Sequence, residues 1–218
     1  MVALIKKFLL NYIRIYNMKK DLYVLITGNK YYGLCKAICN LFDSVDNISY
    51  RTASRTNDWS LDRNEEQERL AEYFVNEGFD IFINNSALWK FHQVMIAEQV
   101  YSKCVERKKS AHIINIGSTA DTGVKGRTWR YPTEKKALKH YNRDLTYMTQ
   151  GGSNIKSTLI SPGSLTTPSV MKKHPERKLI DTEYIADIVL WLLQQPEYVN
   201  INEISLDPVQ TGKFARER

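Results

Sequence analysis

Cysteine is scarce in this chain of 218 residues, which holds only Cys35, Cys39 and Cys104. Three thiols at that spacing match neither a disulfide framework nor a zinc pattern, so a disulfide-stapled scaffold and a structural zinc domain are excluded. Cys35 and Cys39 lie one helical turn apart and are expected to pack as small apolar residues in a reducing, cytoplasmic setting. No uninterrupted apolar run is long enough to cross a bilayer, so no stable membrane insertion is expected. Residues 1–18 interrupt Leu4, Ile5, Phe8 and Leu9 with Lys6 and Lys7, and no small-residue cleavage site follows, which argues against a signal peptide. Residues 1–20 are expected to be an N-terminal extension, read either as an amphipathic surface helix or as a start placed too early, with Met18 opening the domain proper. The net charge of +7 is spread along the chain, without a long basic run or an aromatic-interleaved basic motif. It reads as a basic surface rather than a nucleic-acid module.

What the chain does have is a regular alternation. Short apolar runs at Leu22–Ile26, Ile48–Ala53, Phe79–Ile83, Ile113–Ile116, Ile155–Ser161 and Asn202–Pro208 read as strands. Helical patterns separate them at Lys36–Phe42, Asn64–Asn76, Phe91–Arg107 and Thr182–Leu193, with another through Tyr131 and Lys135. The expected fold is α/β: one doubly wound, Rossmann-type parallel sheet of about seven strands with helices on both faces. It should occupy residues 21–210, followed by a basic tail at 211–218. The segment after Arg55 leaves room for only a very short third strand.

Two stretches carry chemistry. Between Ile26 and Lys36 the sequence Thr27-Gly28-Asn29-Lys30-Tyr31-Tyr32-Gly33-Leu34-Cys35 forms a glycine turn that opens a helix. Such a turn offers backbone N–H groups and the positive helix end to a pyrophosphate. The second stretch runs from Ile113 through Ser118 to Tyr131 and Lys135. Tyr and Lys four apart share a helix face. An ammonium beside a phenol favours the phenolate, and a serine hydroxyl at a strand end could hold a substrate oxygen while the tyrosine moves its proton.

Taken together, these features resemble the short-chain dehydrogenase/reductase family, over about Leu22 to Pro208. The family pairs a strand-terminal serine with a Y-x-x-x-K helix, here Ser118 with Tyr131 and Lys135. Its T-G-x-x-x-G-x-G turn is matched at Gly28 and Gly33 with one extra residue between them, and Cys35 replaces the third glycine. Its N-N-A-G turn is matched by Asn84 and Asn85, with Ser86 and Ala87 following. Its P-G-x-x-x-T loop is matched by Pro162, Gly163 and Thr167.

The resemblance implies hydride transfer between a nicotinamide dinucleotide and a small-molecule carbonyl or alcohol, in a homodimer or homotetramer. Ser118 would orient the carbonyl, Tyr131 would be general acid or base, and Lys135 would lower the tyrosine pKa and hold the nicotinamide ribose. Implied cofactor contacts are Gly28, Asn29, Lys30, Gly33, Leu34, Asn84, Asn85, Ser86, Tyr131, Lys135, Pro162, Gly163 and Thr167. At the end of the second strand Arg51, Ser54 and Arg55 join them. No Asp or Glu lies between Asp46 and Asp58 to take ribose hydroxyls, so NADP is expected over NAD. Many members carry an asparagine on the helix after the N-N turn. None lies between Asn85 and Asn115, where His92 or Gln93 stands in about that place. Lys125, Arg127, Trp129 and Arg130 read as a site-mouth anchor for an anionic substrate or as a solvated basic loop. Ser169–Asp181 reads as a substrate lid. The alternative to an enzyme is a catalytically decayed, dinucleotide-binding regulator or scaffold.

Overall fold

The computed structural model describes residues 20–122 and 130–209. The expectations for residues 1–19, for Lys125, Arg127 and Trp129, and for the basic tail lie outside them. The elements alternate as follows: β1 (Leu22–Thr27), α1 (Gly33–Phe42), β2 (Ile48–Ala53), α2 (Asn64–Asn76), β3 (Ile81–Asn84) and α3 (His92–Glu106). Then come β4 (Ala111–Ile116), α4 (Arg130–Gln150), β5 (Ile155–Pro162), α5 (Pro168–Lys173), α6 (Thr182–Leu193) and β6 (Glu203–Leu206). All pairings are parallel, in the order β2-β1-β3-β4-β5-β6.

Alternation along each buried strand sends successive side chains to opposite faces. Val24 and Ile26 of β1 join one core with Ile38 and Phe42 of α1 and Ile185 and Val189 of α6. Leu25 points the other way, into a second core with Leu70 and Phe74 of α2, Ile96 and Val100 of α3 and Leu145 of α4. Both faces are thus sealed by helices, as the continuous apolar strands require.

Six strands are described, against the seven or so expected. The short third strand is replaced by a 3₁₀ turn at Arg55–Asn57, after which the chain leads directly into α2. This leaves β2 as the sheet edge. Two of its outward carbonyls are taken by side chains: Arg51 Nη1 donates to Tyr50 O at 3.3 Å, and Asn57 Nδ2 donates to Thr52 O. Among the described residues no helix is long and apolar enough to cross a membrane, and no cluster of His, Cys, Asp and Glu could hold a metal.

One buried histidine couples the sheet to pH. His112 in β4 shares a 2.8 Å hydrogen bond with the Thr158 hydroxyl of β5, and burial lowers its pKa from 6.5 to about 3. The folded state therefore refuses a proton that the unfolded chain accepts, so stability is lost as pH falls below about 6.5. Urea denaturation at pH 7 and pH 5 should show the wild type losing roughly 2 kcal/mol more than His112→Gln over that interval. Equal losses would remove His112 as a source of acid sensitivity.

Candidate active site

In a parallel sheet all strands end on the same side, and the loops there bring the expected residues together. Thr27 closes β1 with a buried hydroxyl that accepts the N–H groups of Asn85 (2.9 Å) and Ser86 (3.0 Å). Asn85 Nδ2 returns a bond to Thr27 O at 3.1 Å. Gly28 follows with φ of 141°, and a Cβ there would sit 2.7 Å from Asn85 Nδ2 and 3.1 Å from Cys35 Cβ. Only glycine fits. Cys35 itself is buried beneath this turn, so the side chain that replaces a glycine fills core rather than solvent.

Asn29 shapes the turn by accepting the Tyr31 N–H through Oδ1 at 2.9 Å and the Tyr32 N–H through its carbonyl at 3.0 Å. Lys30 is exposed beside Tyr31. Gly33 opens α1 with φ of 54°, its unpaired first-turn N–H groups facing the same end of the sheet. Leu34 is buried in the core, so only its backbone is available to a ligand. Thr167 lies across from this turn, its methyl 3.5 Å from where a Gly33 Cβ would be.

At the end of β2 the Ser54 N–H and hydroxyl both donate to Asn57 Oδ1 (2.8 and 3.1 Å), and Arg55 is exposed in the 3₁₀ turn. Arg51 lies within the strand, where its charge lies near the Tyr73 phenol. Arg51, Lys30 and Asn57 line an open cleft of about 590 Å³ along this edge, together with Asp43 and Asp46.

The second group forms around the end of β4. The Ser118 hydroxyl accepts the Ala120 N–H at 3.2 Å and lies near enough to the Tyr131 phenol to lower its pKa. Tyr131 lies in the first turn of α4, with the Trp89 ring edge-on at 6.3 Å. One turn on, Lys135 is only 4% exposed and donates to Gln93 Oε1 at 2.7 Å and to Ile116 O at 2.9 Å. Its Nζ is 5.6 Å from the centre of the Tyr131 ring. Burial pulls the Lys135 pKa down from 10.5 to about 8. Burial also raises the Tyr131 phenol above its ordinary value, against the pull of the Ser118 hydroxyl. The expected lowering of Tyr131 by Lys135 is not found: desolvation dominates, and the group that works against it is Ser118. A cavity of about 80 Å³ adjoins the pair, with Leu88, Trp89, Phe91 and Val94 among its walls.

Beside Ser118, Tyr131 and Lys135 lies a set of amides that the sequence did not announce. Asn84 is buried, its Nδ2 donating to Gln93 O (2.8 Å) and Asn115 Oδ1 (2.9 Å), so this side chain serves the interior. Asn115 Nδ2 continues to Asn142 Oδ1 at 3.1 Å. Of the two residues standing near the absent helix asparagine, His92 bonds Gln67 at 2.8 Å, and Gln93 is the one that reaches Lys135. The available signal was that Gln93 falls on the inward face of α3 with Ile96, Ala97 and Val100. Pro162 ends β5, buried. A Cβ on Gly163 would meet Asp207 and Pro208 at 2.6 and 2.7 Å, which fixes the loop that carries Thr167. The expected lid spans α5, and its neck is closed by Thr166 N–H to Ile180 O and Ile180 N–H to Ser164 O, both at 2.9 Å.

Solved structures share this arrangement of strands and helices across most of the chain. The closed form of a serine dehydrogenase complexed with NADP+ superposes with a TM-score of 0.68 at 20% identity, covering 90% of this chain and 99% of that one. A short-chain type dehydrogenase/reductase from Mycobacterium marinum gives a TM-score of 0.73 at 15% identity, covering 88% and 97%. The fold is that of the short-chain dehydrogenases/reductases. A 4-hydroxyisoleucine dehydrogenase complexed with NADH has the same fold, with a TM-score of 0.69 at 18% identity over 86% of this chain and 97% of that one. Among curated proteins, an uncharacterized oxidoreductase of Staphylococcus aureus strain N315 is 35% identical over 103 residues, 47% of this chain and 44% of that protein. One from Staphylococcus haemolyticus is 34% identical over 106 residues, 48% and 45% of the two chains. These matches therefore span less than half the length of each relative. No protein-family model matches the chain.

Within this short-chain dehydrogenase/reductase fold, Lys135 should leave a thermodynamic signature. Between its folded pKa of about 8 and its ordinary 10.5 the unfolded chain holds a proton that the native state has released. Stability relative to Lys135→Met must then rise with pH across that window, by roughly 2 kcal/mol from pH 7.5 to 9.5. Denaturant titrations at the two pH values measure it, and a difference that does not change would mean that Lys135 keeps an ordinary pKa.

Proposed function

We propose that this chain is an NADP-dependent short-chain dehydrogenase/reductase acting on a small-molecule carbonyl or alcohol. The observation that carries the proposal is the Tyr131 phenol under the influence of the Ser118 hydroxyl, with Lys135 buried one turn away, at the sheet end where the glycine turn opens α1. The end of β3 joins the two halves, since Asn85 and Ser86 bind Thr27 while Asn84 bonds the Gln93 backbone. The residues present fit a dinucleotide. Gly28 and Gly33 provide the close approach, and α1 provides N–H donors for phosphates. Asn29, Lys30, Leu34, Asn85, Ser86, Pro162, Gly163 and Thr167 border that path, Leu34 through its backbone. Ser54, Arg55 and Arg51 stand where a 2′-phosphate would be met, without a competing carboxylate between Asp46 and Asp58.

When bound, the nicotinamide supplies or accepts the hydride. The chain's own part is to hold and move a proton. Ser118 offers its hydroxyl to the substrate oxygen, and Tyr131 donates the phenolic proton to that oxygen in reduction or takes it in oxidation. Lys135, still cationic below pH 8, stabilises the phenolate left behind. The raised phenol pKa keeps Tyr131 protonated at neutral pH, so that the proton is present when a carbonyl is to be reduced. The alternative of a non-catalytic binder rested partly on Cys35, and its burial beneath Gly28 weighs against that reading.

Titration with NADPH and NADH, followed by thermal shift, tests the cofactor. NADPH should raise the melting temperature at concentrations where NADH has little effect, and no response to either would remove the cofactor assignment. Tyr131→Phe should keep NADPH affinity within about twofold and lower turnover in a carbonyl screen by about 10²–10⁴-fold. Turnover retained in that variant would end the assignment of Tyr131.

A further inference from the structure

The connection from β3 to α3 is short, and it makes its turn with two consecutive non-glycine residues in the left-handed region, Lys90 (φ 62°) and Phe91 (φ 61°). The buried Glu134 carboxylate holds this turn, accepting the Lys90 N–H at 2.9 Å and Arg130 Nε at 2.7 Å. The effect is to start α3 at His92, so that its first turn presses Gln93 against the end of β4.

There Gln93, Lys135 and the Ile116 carbonyl close a triangle. Lys135 Nζ donates to Gln93 Oε1 (2.7 Å) and to Ile116 O (2.9 Å), and Gln93 Nε2 donates to Ile116 O (3.0 Å) and Asn84 O (2.8 Å). The orientation of the amide is forced, because an ammonium is only a donor and the two carbonyls are only acceptors. Reversing it would set N–H groups against Nζ and carbonyl against carbonyl. Two of the three ammonium hydrogens are thus fixed, leaving one for whatever occupies the space beside Tyr131.

We propose that Gln93 is a positioning residue for the Lys135–Tyr131 pair: its amide carbonyl holds the ammonium in place and sets the pH at which Lys135 gives up its charge. This rests on the function proposed above only for its effect on turnover. The other groups acting on Lys135 are few. Tyr131 and Glu134 are on its own helix, and among the described residues Glu134 supplies the one charge that works on it. Gln93 on α3, Asn84 on β3 and Asn115 and Ile116 on β4 contribute only neutral groups. A neutral acceptor at 2.7 Å therefore has a strong influence on the charged form.

The test is an NMR pH titration of the lysine ε-carbon signals, with Lys135 identified by its loss in Lys135→Met, run on the wild type, Gln93→Leu and Gln93→Glu. Removing the acceptor should move the Lys135 midpoint down by about one pH unit, and the carboxylate should move it up by at least as much. The alkaline limb of NADPH-dependent turnover should move in the same two opposite directions. A purely structural role would lower the melting temperature and leave the midpoints where they are, which would overturn the proposal. Should Gln93→Leu fail to fold, Gln93→Glu, which keeps the side-chain volume, decides alone by the direction of its shift. If the midpoints move while no dinucleotide binds, Gln93 keeps its role and the proposed function falls. If NADPH binds and turns over with midpoints and limb unmoved, the function stands and Gln93 loses its role.

Discussion

An ammonium group placed out of contact with water must find acceptors, and this requirement at Lys135 organises the site. Burying a charge without partners costs several kcal/mol, enough to cancel much of the stability of a domain this size. The acceptors come from two directions, the Ile116 carbonyl at the end of β4 and the Gln93 carbonyl on α3. Bringing both within reach requires α3 to start close to the sheet. That in turn requires a tight connection after β3, with strained backbone at Lys90 and Phe91 and a carboxylate, Glu134, to secure it. One buried charge thus accounts for features on three separate elements.

The same desolvation sets the protonation of the pair. It opposes charge on both partners, pushing the phenol up and the ammonium down. Below pH 8 the lysine still holds its charge and the tyrosine its proton. The serine contributes in the other direction, since its hydroxyl stabilises the phenolate. Which partner gives way first is decided by the polar contacts around each, and those contacts are fixed by backbone carbonyls and amides that do not titrate.

Much of this was readable in the chain itself. The strands announced themselves as β-branched apolar runs, and Ser118, Tyr131 and Lys135 stood at the strand end and helix turn that bring them together. The glycine turn was legible as well, and Cys35 is buried as expected of a small apolar residue. That it fits directly beneath the turn follows from the space left by Gly28, which is a matter of three-dimensional packing. Gln93 was ambiguous with His92 because a one-residue difference along a helix rotates a side chain by 100°, and only the seating of α3 selects between them. Asn84 read as a turn former, and its interior role emerges only with Asn115 and Asn142, which are distant in sequence. The very short third strand proved to be a 3₁₀ turn. Its sequence between Arg55 and Leu61 is too polar and too brief to cross beyond β2 and return.

Among the described residues that turn leaves β2 with no outer neighbour, in a sheet whose strands are otherwise matched on both sides up to β6. An open row of peptide groups is a template on which another chain can add a strand. The Tyr50 and Thr52 carbonyls are occupied by Arg51 and Asn57, and the Val45 carbonyl accepts the Ile48 N–H at 3.2 Å. Part of the border is thus covered from within its own neighbourhood, while a cleft stays open along it. A polypeptide shortened by one crossover can in this way mask some of an edge's peptide groups without adding a strand.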